Sequence, residues 1–185
     1  MIAALGDSIT EGSPGHDAQL GGDEESQWQH WATRAEARLE FRNCGVYGER
    51  TDQIMARLDA CVRGADVLVV QGGINDIAQG IAVEEAAENL RRMVSRGKEL
   101  GLGVLLADVL PWNNGWPAAE PEIRRLNALI EAIAREEGVA LLPFHDTLED
   151  PDRPGRMRED WTSDGDHPSV AGYRRLGELA FGLPD

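Results

Sequence analysis

Cysteine, aromatic side chains and positive charge are all scarce in this 185-residue chain. Two cysteines, Cys44 and Cys61, are too few for a disulfide scaffold and suit a reducing compartment. Lys and Arg total 18 against 33 Asp and Glu, a net charge of −15. A surface that acidic repels phosphate backbones and anionic membrane surfaces, so nucleic acid is not an expected partner. No apolar run approaches the ~20 residues of a membrane span. Ile2 to Leu5 follow Met1 with no basic n-region and no cleavage site, so no secretory signal is read and a cytoplasmic location is expected. CxxC, HExxH and GxxxxGK(S/T) are all missing, which argues against a metal centre or a P-loop. The nucleophile elbow G-x-S-x-G is missing too. GLGVLL at Gly101 lacks the last glycine of a dinucleotide fingerprint and opens a strand rather than a helix. No metal and no cofactor are expected.

What is present is a repeated alternation of short apolar runs and longer amphipathic ones. Ile2–Leu5, Val67–Val70, Val104–Ala107 and Val139–Leu142 are apolar on both faces, the pattern of buried parallel strands. Phe41–Val46 contains Arg42 and Asn43 and is expected at a sheet edge. Ser26 with Gln29 reads as a capping box for a helix lined by Trp28, Trp31, Ala32, Ala35 and Leu39. Thr51 or Asp52 is the expected cap of a helix carrying Ile54, Met55, Leu58 and Val62. Two further stripes run from Val83 to Leu100 and from Ile123 to Ala134, stopped by Gly101 and Gly138. A last helix runs from about Ser169 to Ala180. Five β-α units in one domain, residues 1–185, predict an α/β fold with a parallel sheet covered on both faces.

In such a sheet the ligand crevice lies beyond the carboxyl ends of the strands. The segments that fall there are GDSIT, NCGVYGERT, GGINDI, LPWNNGW and DGDHPS. Each has a bland reading. Ser8 can be a helix cap, Asn75 and Asp76 a turn cap, Gly48 a positive-φ residue, and His167 a surface histidine. Together they supply acyl transfer. A serine hydroxyl needs a general base, histidine is the natural one near neutral pH, and its second ring nitrogen needs an acceptor. Asp164, three residues before His167, can be that acceptor, with Asp166 as a second acid beside the ring. The Ser8 and Gly48 N–H groups and the Asn75 amide can receive a developing oxyanion.

This ordered set resembles the GDSL family, also called SGNH hydrolases. GDSIT is similar to the family's first block, with Ser8 as nucleophile and Ile9 where leucine often stands. NCGVYGERT resembles the second block, with Gly48 at the oxyanion hole and Glu49 where Asp is frequent. GINDI resembles the G-x-N-D block, with Asn75 as an oxyanion donor. DGDHPS resembles the D-x-x-H block, with Asp164 and His167. The resemblance spans Gly6 to His167. It implies a three-layer α/β/α sandwich with a five-stranded, flavodoxin-like parallel sheet, and esterase, lipase, thioesterase or deacetylase activity without a metal.

The expected protein is therefore a carboxylic ester hydrolase working through an acyl-enzyme on a small-molecule ester. Short acyl or acetyl chains are expected, because no insert carries the apolar face of a lipase lid. Thioesterase or lysophospholipase activity, and a catalytically silent binding module on the same sheet, are the alternatives. Trp112 and Trp116 are candidate walls of the substrate pocket, and Trp28 and Trp31 could extend them into a longer groove. Arg153, Arg156 and Arg158 are solvated loop charges or, alternatively, a landing site for an anionic leaving group.

Overall fold

All five residues of β1 (Ile2–Gly6) are buried. A strand with no polar face belongs inside a sheet covered on both sides, and that is its place in the computed structural model, which describes residues 1–181. β2 (Phe41–Gly45), β3 (Val67–Val70), β4 (Gly103–Ala107) and β5 (Ala140–Leu142) complete one parallel sheet in the order β2-β1-β3-β4-β5. Leu5 pairs with Cys44 on one side and Val70 on the other, and Val70 pairs in turn with Leu106. The mixed strand, β2, is at the edge, as its polar residues predict.

Alternation along the strands divides the core in two. Leu5, Val70 and Leu106 face a layer built from α3 (Thr51–Ala56), α4 (Val83–Glu99) and α5 (Glu120–Glu137). Ala4, Val69 and Leu105 face the other layer, with α2 (Trp28–Ala35), α6 (Val170–Arg175) and the wider turns of Leu176–Ala180. α1 is the four-residue turn Ser8–Glu11. This is the three-layer α/β/α architecture expected, with the flavodoxin-like strand order. Leu90 and Met93 of α4 are fully buried, and truncating either to alanine removes contacts worth about 2–5 kcal/mol. Among the described residues no helix is long and apolar enough to cross a membrane.

Several local expectations are corrected. The Ser26–Gln29 capping box does not form. Ser26 ends a 3₁₀ turn capped by Asp23, and the Gln29 amide is drawn inward to donate to the Thr10 carbonyl at 2.8 Å. α3 is capped by Arg50, whose N–H donates to Gln53, while the Thr51 hydroxyl donates to buried Asp76 at 2.7 Å. That helix also breaks at Arg57 and resumes over Leu58–Cys61. Trp28 is fully buried against Phe41, Phe144 and Phe181, and Trp31 is buried beside it. Both indoles are core, not groove. Cys44 and Cys61 are joined in a disulfide, with Cα atoms 6.1 Å apart.

The carboxyl edge of the sheet is held tightly. A Cβ on Gly45, the last residue of β2, would collide with the Glu11 backbone. Only glycine lets the strand end approach the turn that carries Ser8 so closely.

Candidate active site

β1 delivers Ser8 through a buried turn. The Asp7 carboxylate caps α1 by accepting the Ile9 N–H at 2.9 Å, and Gln71 accepts from both the Asp7 N–H and the Thr10 hydroxyl. Burial pushes the Asp7 carboxyl up to about 6. Ser8 itself is buried.

The loop before α6 brings His167 to it across 159 residues. His167 Nε2 lies 3.2 Å from Ser8 Oγ. His167 Nδ1 lies 2.8 Å from Asp164 Oδ2, and Asp164 Oδ1 accepts the N–H groups of Asp166 and His167 at 2.9 and 2.8 Å. Burial alone would raise the Asp164 carboxyl. The His167 ring and the two backbone donors outweigh it and hold the group below its ordinary value. An ionised acceptor at Nδ1 keeps the ring proton there and leaves Nε2 free to accept from the Ser8 hydroxyl. Asp166 is occupied elsewhere. Its Oδ1 accepts from the Trp112 indole at 2.6 Å and from the Asn114 amide at 2.7 Å. The acid facing the imidazole is Asp164, as the three-residue spacing predicts.

Around Ser8 is a cavity of about 190 Å³, lined in part by Tyr47, Gly48, Ile74, Asn75, Trp112 and His167. Gly48 has φ of +75°, a conformation that a side chain would strain. Among the described residues neither the Ser8 N–H nor the Gly48 N–H is spent on a hydrogen bond. Among the described residues the Asn75 amide donates once, to the Glu49 carbonyl at 3.0 Å, which fixes its plane and leaves its second N–H unspent there.

Ser8, Asp164, His167, Gly48, Asn75 and Trp112 therefore converge. Trp116 does not. Its N–H closes a turn onto the Asn113 carbonyl, and its ring points outward, 43% exposed, beneath the Arg156 guanidinium. Arg153 and Arg158 of the loop have acidic partners within the chain. Arg153 pairs with Asp150 and Glu159, and Arg158 pairs with Asp160 and stacks on Trp161. Tyr47 also lines the cavity, a place that its residue type does not predict. Its ring stacks on His167 at 6.0 Å and 29°, although the residue is largely exposed. Its place one residue before Gly48 was a signal, but its direction depends on the fold of the loop. His145, Asp146 and Glu149 offer ligand atoms within 4.8 Å of one another. They do not line the Ser8 cavity.

The chain is 29% identical to esterase TesA of Pseudomonas aeruginosa, over 96% of this chain and 84% of that protein. A member of the lipolytic protein G-D-S-L family from Veillonella parvula shares the fold with a TM-score of 0.81 at 19% identity, covering 95% of this chain and 93% of the other. Axe2, an acetylxylan esterase from Geobacillus stearothermophilus, shares it with a TM-score of 0.74 at 21% identity, covering 98% and 94%. The model of the GDSL-like lipase/acylhydrolase family matches residues 4–175. With that coverage, this chain belongs to the GDSL family and is a hydrolase of the esterase and lipase kind.

Proposed function

We propose that this esterase works through a covalent acyl-enzyme, with Ser8 as nucleophile, His167 as general base and then acid, and Asp164 as the residue that orients the imidazole. The observation that carries the reading is the unbroken hydrogen-bonded chain Asp164–His167–Ser8, which opens on a cavity flanked by unspent N–H donors. Ser8 Oγ attacks the ester carbonyl while His167 Nε2 takes its proton. The oxyanion is received by the N–H groups of Ser8 and Gly48 and the free N–H of Asn75. His167 then protonates the leaving alcohol. Water activated by the same ring releases the acid.

The substrate we propose is a short-chain acyl or acetyl ester. A cavity of about 190 Å³, walled by Ile74 and Trp112, suits a small acyl group. The sites that could have extended it are occupied otherwise, since Trp28 and Trp31 are core and Trp116 faces away.

The test is a panel of p-nitrophenyl esters from acetate to palmitate, with acyl-CoA and lysophospholipid alongside, on the parent and on Ser8→Ala. The expected result is a burst and turnover on acetate and butyrate that Ser8→Ala abolishes while the protein stays folded. Residual activity within a few-fold of the parent overturns the nucleophile. A kcat/KM that climbs toward palmitate overturns the short-chain assignment, and preference for acyl-CoA makes the enzyme a thioesterase instead.

A further inference from the structure

Three segments carry the proposed oxyanion donors: the end of β1 leading to Ser8, the loop after β2 with Gly48, and the turn after β3 with Asn75. One side chain outside the cavity lining touches the first two and reaches the third through a single residue. Arg57 stands at the break between α3 and Leu58–Cys61. Its Nη2 donates to the Gly6 carbonyl at 2.8 Å, two residues before Ser8. Its Nη1 donates to the Cys44 carbonyl at 2.6 Å, beside the Gly45 that presses on α1. Its Nε donates to Glu49 Oε2 at 2.6 Å, and the Glu49 backbone carbonyl is the acceptor that holds the Asn75 amide. Both side chains of the ion pair are largely buried, Arg57 at 25% exposed and Glu49 at 18%.

We infer that Arg57 is a positioning residue of the oxyanion hole, a three-way clasp that fixes the relative placement of the Ser8, Gly48 and Asn75 donors. This inference rests on the serine-hydrolase reading above. The planar guanidinium is the one side chain that can send donors along three divergent, fixed directions, whereas a lysine ammonium is a point charge on a flexible stem. The charge itself is compensated by Glu49, so the contribution is geometric rather than a long-range field on the oxyanion. The Cys44–Cys61 disulfide closes the same loop from the other side, with Cys61 donating its N–H to the Arg57 carbonyl.

Oxyanion donors act on the transition state more than on the bound ester. A loosened clasp therefore lowers kcat and leaves KM nearly fixed. The experiment measures kcat and KM per burst-titrated active site on the parent, Arg57→Lys, Arg57→Gln and Glu49→Gln, with melting temperature and a free-thiol assay on each preparation. Arg57→Gln should lose ~10–100-fold in kcat, less than the ~10²–10³ of a deleted donor. Arg57→Lys should fall between, and Glu49→Gln, which keeps the backbone carbonyl, should lose less still. Added guanidinium ion should restore part of the Arg57→Gln loss. A purely structural role would lower melting temperature and the titrated fraction without changing kcat per site, and that result overturns the inference. Should Arg57→Gln fail to fold, Arg57→Lys with parent kcat per site overturns it equally. Ser8→Ala is run in parallel. If it is inactive while both Arg57 variants keep parent kcat, the clasp alone falls. If it is active, the hydrolase reading falls and takes the clasp with it.

Discussion

Asp108 and Asp164 stand on neighbouring loops at the same edge of the sheet and are treated in opposite ways. Asp164 is 41% exposed at its side chain and is given three donors, two backbone N–H groups and an imidazole, which hold its carboxyl below the usual range. Asp108, directly after β4, is 7% exposed. It accepts the His145 N–H at 2.7 Å but faces the charges of Asp146 and Glu131, and burial foremost pushes its carboxyl up to about 7. Burial outweighs the backbone donors at Asp108, and donors outweigh burial at Asp164, so the balance of depth and donors decides which carboxylate stays ionised. A residue that must steady an imidazolium needs the first environment, and the second costs stability at neutral pH.

The contrast can be broken most sharply at Asp164. Asparagine there removes the charge and favours the wrong imidazole tautomer, so kcat should fall by ~10³–10⁴ with little loss of fold. Asp166→Asn, whose partners are Trp112 and Asn114, should cost only a few-fold. Burst kinetics on both variants decides, and a larger loss from Asp166→Asn would transfer the orienting role.

On the far wall of the same cavity, Asn75→Ala removes one donor. We expect a loss of ~10²–10³ in kcat with KM nearly unchanged. Steady-state kinetics and melting temperature on one preparation check this, and a stable protein with parent kcat would remove Asn75 from the oxyanion hole.

Asp108 should show its effect in stability instead. Its folded value, about 7, lies above its ordinary 3.8, so the folded state holds a proton that the unfolded chain gives up. That contribution is complete below about pH 4 and is lost as pH rises through about 7. Its upper bound is on the order of 4 kcal/mol. Asp7, raised to about 6, adds a slope of the same sign that ends at lower pH. Asp108→Asn keeps an acceptor for the His145 N–H and removes the slope. Thermal melts should show the variant gaining on the parent as pH rises from about 4 to about 8, with activity unaffected. A difference in melting temperature that stays constant from about pH 4 to about pH 8 would contradict the raised value.

The strands and the placing of the site could be read from the sequence because both depend on local signals. Apolar residues on both faces of Ile2–Leu5 and Val67–Val70 leave no option but burial, and polar residues interrupt Phe41–Val46. Ser8, Asn75 and Asp164–His167 follow strands or precede a helix, so topology alone brings them to one edge. What could not be read depends on contacts distant in sequence. Gln29 leaves its box because the Thr10 carbonyl needs a donor, and Thr51 leaves the cap because Asp76 does. Arg57 resembles any exposed helix charge until the Gly6 and Cys44 carbonyls are seen to converge on it. Trp112 and Trp116 look equivalent in LPWNNGW, and distant partners separate them, the Asp166 carboxylate for one and the Arg156 guanidinium for the other.

The two ends of the Ser8–His167 hydrogen bond are 159 residues apart in sequence. During synthesis the serine leaves the ribosome before its base, which follows 159 residues later. Under the proposed mechanism a truncated chain, or one whose last helices have undocked, carries an inert hydroxyl rather than an activated nucleophile. Turnover thus depends on the segment that carries His167 staying docked against the turn that carries Ser8.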